Sequence, residues 1–424
     1  MDSKALEDAI KEEALLQKAH ELQDAAYKSP MRHRVYGTPG HENTLQLIEK
    51  YLKTVEEHYT FERQELELSA SYHSEVNGTF SVADKRYDIA FHQYGTIGAN
   101  TDYVVTGHVV PVASFGCDPS DFPPAVANNI ALIHRGECAY EEKLRVATAP
   151  HIRADAVIIV NNSTEPLGKA AELTLAGFPL WGPEPLGVIS QADGEALAVM
   201  AANTPLEGVL EIQERQQKKK TYNLIAQTKQ GDQDNVLFVG AHSDSVFAGP
   251  GINNNGSGLI AILETALHLP KYAVNHAVRF AFWSAEEMGL IGSRFYLQNL
   301  HASEKDKIRL YLYDGHGLPH MDAKFDGTSD YEVFMRECIP SGGILTGAGA
   351  IMTKEEATKF GGQAEVAYDE NYHGFGDTVE NLNRTAFVTN AKAIAAGVAH
   401  FSTTLDSIPP RFPGCRSAPE TSED

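Results

Sequence analysis

Long apolar runs are missing from this 424-residue chain. No stretch reaches the roughly 18 consecutive apolar residues that a membrane-spanning helix needs, so no membrane partner is expected. Basic residues are in short supply. Lysine and arginine number 35 against 57 acidic residues, a formal net charge of -22, and no long acidic tract accounts for the excess, which must be spread over the surface. Nucleic acids and anionic membranes are bound through basic patches, so neither is expected as a partner. Cysteine is scarce as well, with Cys117, Cys138, Cys338 and Cys415 the 4 present. An even number fits an oxidising compartment without proving one. The opening "MDSKALEDAIKEEALLQKAHELQDAAYKS" reads as a charged amphipathic helix and lacks the apolar core of a signal peptide. Sequons at Asn77, Asn162 and Asn383 lean toward a secreted protein whose signal has been removed. A cytoplasmic protein is the alternative.

Apolar material itself is plentiful, at 42% of residues, enough for a large core and for two or three domains' worth of chain. Helical periodicity predicts helices over roughly Ser3 to Tyr27 and Glu42 to Glu57, followed by strand-like alternation in "YTFERQELELSA". From about Asp102 to Glu214 short apolar runs alternate with proline and glycine, the texture of an inserted β-rich module that closes at the basic "RQQKKKTYNLIAQ". Beyond Asn223 strand, loop and helix recur: "NVLFVGAH", "SGLIAILETALHL", "AVRFAFWSAEE" and "IRLYLYD". That pattern predicts an α/β fold, a mostly parallel twisted sheet flanked by helices. A last helix is expected from about Thr385 to Thr403. The resulting division is a main domain over 1–95 and 218–405, an insert over 96–217, and a poorly ordered tail over 406–424.

In open α/β sheets the site lies at the carboxyl ends of the strands, and polar residues gather there. His242 with Asp244 close by, the pair Glu286 and Glu287, Asp314, and His373 in "NYHGFGDT" all fall at strand ends or in adjoining loops. Histidine nitrogen and carboxylate oxygen without thiolate form the ligand set of a catalytic zinc site. Adjacent glutamates allow a division of labour in which one binds metal and the other acts as a base. Asp244 is expected to orient His242.

Taken in order, "VGAHSDSVFAGPGINNNGSG", "FAFWSAEEMGLIGS", "YLYDG", "TSDYEVF" and "GGQAEVAYDENYHGFGDT" resemble the motifs of the co-catalytic zinc aminopeptidases, the family of aminopeptidase Y and the secreted fungal and bacterial leucine aminopeptidases. "GCDPSDFPPAVANNIALIHRGECAYEEKLRVA" resembles the protease-associated domain inserted in that family. The resemblance implies two zinc sites, one held by His242 and Asp314, the other by Glu287 and His373. It implies Glu286 as general base, Tyr372 as a hydroxyl donor to the tetrahedral intermediate, and a Cys117–Cys138 disulfide in the insert. Cys338 and Cys415 match no family pair.

One position departs from the pattern. The family's metal-bridging aspartate, in "INDNGSG" or "INDDGSG", is replaced here by Asn254. Co-catalytic metals sit about 3.5 to 4 Å apart, where unit charges interact by roughly 4 kcal/mol at an effective dielectric near 20, and dications by about four times that. A carboxylate between them offsets that repulsion, whereas an amide carries no net charge. Weaker binding of at least one metal, with one zinc or partial occupancy, is the expectation. The surroundings depart too: Asp314 is followed by "GHGLPH", Tyr331 follows Asp330, and "TGAGA" stands where the family tends toward "TGAEG".

Three functions compete on this reading. The first is an aminopeptidase that releases amino-terminal residues, by family default bulky and apolar, from peptides. The second is a catalytically impaired pseudoenzyme or binding protein, and the third a divergent enzyme acting on a non-peptide small molecule.

Overall fold

The computed structural model describes residues 3–29, 32–91, 101–138, 140–162, 186–312, 321, 327 and 329–409. Two compact units emerge, one comprising 1–66 with 220–424, the other 67–219. The second begins earlier than the change of texture near residue 96, because the strand Tyr59–Val82 runs on into it and pairs, through Phe80 to Val82, with Lys85–Tyr87.

In the larger unit the amino-terminal segment forms two helices, α1 (Ser3–Ala9) and α2 (Glu12–Ala26), where periodicity suggested one. At 100° per residue a continuous helix would place Leu6 and Ile10 roughly opposite Leu15, Ala19 and Leu22. All five are buried in one core cluster. Extended backbone at Lys11 (φ -112°, ψ 136°) breaks the helix and turns both stripes inward. Helix α3 (Pro39–Leu52) starts with proline at its first turn, where the missing N–H costs nothing, and buries Leu45, Ile48 and Leu52 in the same cluster.

The sheet of this unit includes the part of β1 (Glu207–Thr228) from Lys220 onward, β2 (Asp232–His242), β3 (His276–Trp283) and β4 (Ile308–Leu312), with the short strand Ser341–Gly342 parallel to β4. Residues Leu224 to Gln227 of β1 run antiparallel to β3, whereas β3 and β2, and β2 and β4, are parallel. Strand side chains alternate between faces. Leu237, Val239, Val278, Phe280 and Phe282 join the cluster formed with α1 to α3, α4 (Gly258–His268) and α5 (Arg384–Phe401). Phe238, Ala281 and Trp283 point the other way, into a second cluster with Tyr296, Tyr311 and Phe334. Burial on both faces explains why "NVLFVGAH" and "AVRFAFW" read as continuous apolar runs.

In the smaller unit the strand Thr101–Pro111 pairs in parallel with Ile130–His134, which pairs with Ala156–Val160, which pairs with Leu186–Ile189. Parallel neighbours need crossover connections; the helix Tyr140–Thr148 lies between the second and third strands, and the helix Gln191–Asn203 follows the last. The expected Cys117–Cys138 disulfide is present, and Cys338 is also disulfide-bonded. Cys415 and tail residues 410–424 lie outside the described residues.

Candidate metal centre

Strands β2 and β3 are parallel neighbours, with Trp283 registered against His242. Their carboxyl ends therefore deliver His242 and the "AEE" turn side by side. Asp244, completely buried, fastens the two ends together by accepting the backbone N–H groups of Glu286 at 3.1 Å and Glu287 at 3.2 Å. The same carboxylate lies 3.6 Å from Nδ1 of His242, while the Asp244 backbone carbonyl is nearer, at 3.2 Å. Nε2 of His242 stands 3.7 Å from Oε2 of Glu286. Ligand-type atoms of His242, Glu286 and Glu287 all fall within 4.8 Å of one another.

The asparagine run approaches from the loop before α4. Gly251 adopts φ +64°, and a Cβ on Gly249 would stand 2.1 Å from the carbonyl oxygen of Gly374, so both glycines let the loops close up. The Asp377 carboxylate accepts the backbone N–H groups of Asn253 (2.6 Å) and Asn254 (3.0 Å), and Asp369 accepts the Asn253 amide at 2.6 Å. A cis peptide joins Asn254 to Asn255. The Asn254 side chain turns toward the "AEE" turn, with Nδ2 donating to Oε1 of Glu287 at 3.0 Å. On the other side of that carboxylate, Nε2 of His373 lies 3.3 Å from Oε2. The Tyr372 ring stacks on His373, with centroids 3.9 Å apart.

Carboxylates crowded into a buried site perturb one another. Burial pushes the Glu286 and Asp330 carboxyls well up, with His242 opposing and neighbouring acids adding to the rise. Burial would lower His242, but Glu286 above all, then Asp244 and Glu287, drive it up to about 10. Burial works against Asp244, whose contact with His242 nevertheless holds it below the ordinary carboxylate value. A cluster in which acids are driven toward protonation and a histidine toward the charged form is short of positive charge. The same signature appears as a geometric mismatch at His373, whose buried Nε2 faces Glu287 yet makes no hydrogen bond among the described residues. Nitrogen and carboxylate lone pairs facing each other suit a divalent cation with N and O ligands, so the residues present fit a zinc ion.

Among the expected site residues, His242, Asp244, Asn254, Glu286, Glu287, Tyr372 and His373 are thus brought together. Asp314 lies outside the described residues. Asp330 is buried beside the cluster and accepts a 2.5 Å hydrogen bond from Ser293 Oγ. Sequence reasoning did not single out Asp369, Asp377, Arg34 or His41. The two aspartates stand inside "YDENYHGFGDT", but what marks them is contact with the asparagine run some 120 residues away, Asp377 with its backbone N–H groups and Asp369 with the Asn253 side-chain amide, for which one sequence carries no signal.

Comparison with known proteins fits this geometry. The family model described as peptidase family M28 matches residues 223–317, and that of the PA domain matches 105–197. A probable leucine aminopeptidase 2 of Aspergillus oryzae is 38% identical over 95% of this chain and 86% of its own length. Leucine aminopeptidase 2 of Arthroderma otae is 35% identical over 96% and 87%. Among solved structures, a zinc aminopeptidase from Bacillus subtilis superimposes with a TM-score of 0.62 at 21% identity, covering 95% of this chain and 97% of that one. With relatives this similar along nearly its whole length, and with a PA domain inserted in it, the chain belongs to peptidase family M28.

Proposed function

We propose that this protein is a zinc-dependent aminopeptidase, cleaving bulky apolar residues from the amino termini of peptides, with a metal site weakened at Asn254. The observation that carries the proposal is the convergence of His242, Glu286, Glu287 and His373 at adjoining strand and loop ends of an M28 fold. The relatives named leucine aminopeptidase 2 support the substrate class. The disulfide chemistry of Cys117, Cys138 and Cys338 supports a secretory location.

On this reading Glu287 and His373 hold one zinc and His242, with Asp314, the other. Zinc when bound supplies Lewis acidity toward a peptide carbonyl and eases ionisation of water. Glu286 takes the proton of the attacking water and returns it to the departing amine, a task suited to its buried place beside His242. Asp244 fixes Glu286 by its backbone, and Tyr372 donates its hydroxyl to the carbonyl oxygen as negative charge develops. None of these residues comes from 67–219, and we assign that unit to substrate access or stability.

A second reading, an impaired enzyme or binding protein, draws on the Asn254 amide, which offers Glu287 a donor in the place of a bridging carboxylate. Hydrolysis of leucine p-nitroanilide after zinc loading separates the two. The aminopeptidase reading requires turnover that is lost on acetylating the substrate amine and abolished in Glu286→Gln with zinc content unchanged. Zinc-loaded protein inert toward every peptide and anilide, while still binding them, would establish the second. Loss of zinc in Glu286→Gln would show that Glu286 and Glu287 had been given each other's roles.

A further inference from the structure

Arg34 lies in the segment between α2 and α3 and is completely buried. Its guanidinium is spread across two loops: Nε donates to the carbonyl of Pro250 at 2.7 Å, Nη2 to that of Gly251 at 2.6 Å, and Nη1 to that of Ser243. The backbone of the same residue completes the contact, its N–H donating to Ser245 Oγ at 2.8 Å and its carbonyl accepting the N–H of Ser245 at 3.3 Å. Ser243 stands between His242 and Asp244, and Gly251 opens the turn that leads to Asn254. Among the described residues, no carboxylate hydrogen-bonds this guanidinium.

Taking a guanidinium out of water is costly, and the nearby Asp244, Asp377 and Glu287 carboxylates offset part of that cost without bonding it. What a planar fork provides, and a lysine or an apolar side chain does not, is fixed donor directions that hold several acceptors in one relative arrangement. A Cβ on Gly251 would fall 2.5 Å from the Asn254 carbonyl oxygen, 2.6 Å from Ser245 Cβ and 2.9 Å from Nη2 of Arg34, so a side chain there would crowd both the turn and the guanidinium. The geometry points to Arg34 as a positioning residue, a clamp that sets the distance between the His242 strand end and the Asn254 loop and so preforms the metal centre. The consequence for metal binding rests on the zinc reading above, whereas the clamp itself does not.

Two measurements on the full chain test this. In metal-free protein, hydrogen exchange resolved by peptide should accelerate roughly tenfold or more over 243–258 in Arg34→Lys, with α5 (384–401) unchanged, because only the loops lose their tie. Cobalt(II), used as a spectroscopic probe, should bind Arg34→Lys about 10- to 100-fold more weakly than the parent, the range typical of residues that orient metal ligands, and with an altered visible absorption band. Arg34→Gln, neutral and with a single amide in place of the fork, leaves the Ser245 hydroxyl and its bonds to the Arg34 N–H and the Gly249 carbonyl intact and should shift both readouts in the same direction. It is the deciding variant where Arg34→Lys fails to fold. Unchanged exchange over 243–258, acceleration spread evenly over the unit, or a cobalt spectrum and affinity equal to the parent's in a folded variant each overturn the clamp. A parent that takes up no cobalt refutes the zinc reading, and the exchange data then decide the clamp alone.

Discussion

Replacing Asn254 by aspartate changes one NH2 for one oxygen, nearly without change of shape, and inverts the interaction with Glu287. The Asn254 amide now donates to that carboxylate at 3.0 Å; in Asn254→Asp two carboxylates face each other at the same distance. Two unit charges 3 Å apart repel by about 5 kcal/mol at an effective dielectric of 20. Keeping a proton on an ordinary aspartate at pH 7 costs about 4 kcal/mol. Protonation is the cheaper course, so the metal-free variant shares a proton between residues 254 and 287 and loses up to about 4 kcal/mol. For a unit of this size that is a fall in Tm on the order of 10 °C. Zinc reverses the order, because a dication takes the place of the shared proton. Calorimetry in buffers of different ionisation enthalpy should therefore find about one more proton released per chain on zinc binding by Asn254→Asp than by the parent, with zinc content nearer two. Scanning fluorimetry with and without chelator should show the variant less stable than the parent without zinc and gaining more from it. Equal metal-free Tm values, equal zinc content and equal proton release would refute the reasoning and remove Asn254 from the account of the site.

Two further outcomes are expected. Burial holds His41 down to about 4 from 6.5, Asp244 opposing, so the folded state resists protonation where the unfolded state accepts it; stability is full above pH 6.5 and is lost as pH falls toward 4, by up to about 3 kcal/mol. His41→Gln, which keeps a polar group near Ser243 Oγ (2.9 Å from Nε2 in the parent), should flatten that slope in metal-free denaturation curves, and an unchanged slope would show that His41 does not titrate this way. In the smaller unit the Cys117–Cys138 bond closes a loop of 21 residues, worth about 3 kcal/mol in the chain-entropy account; replacing both cysteines by serine should lower that unit's thermal transition, and a transition at the parent temperature would contradict it.

Much of this protein was written along the chain. Apolar runs buried on both faces declared β2 and β3, and acids and histidines at their ends marked the candidate site, because strand direction places such ends together in a parallel sheet. The motifs around His242, Glu286 and His373, and the insert with its Cys117–Cys138 pair, are local signals and could be read without coordinates. The break at Lys11 was also latent, since two stripes of leucine on opposite sides of one helix cannot both face a single core. Only the tertiary structure decided what holds the site in place. Asp377 on the backbone of Asn253 and Asn254, Asp244 beneath the two glutamates, and Arg34 across Ser243, Pro250 and Gly251 act through main-chain N–H and carbonyl groups. Every residue carries those groups, so a contact to them leaves no mark on the residue contacted, and its long-range partner is fixed by packing and by the requirement that buried polar groups be satisfied.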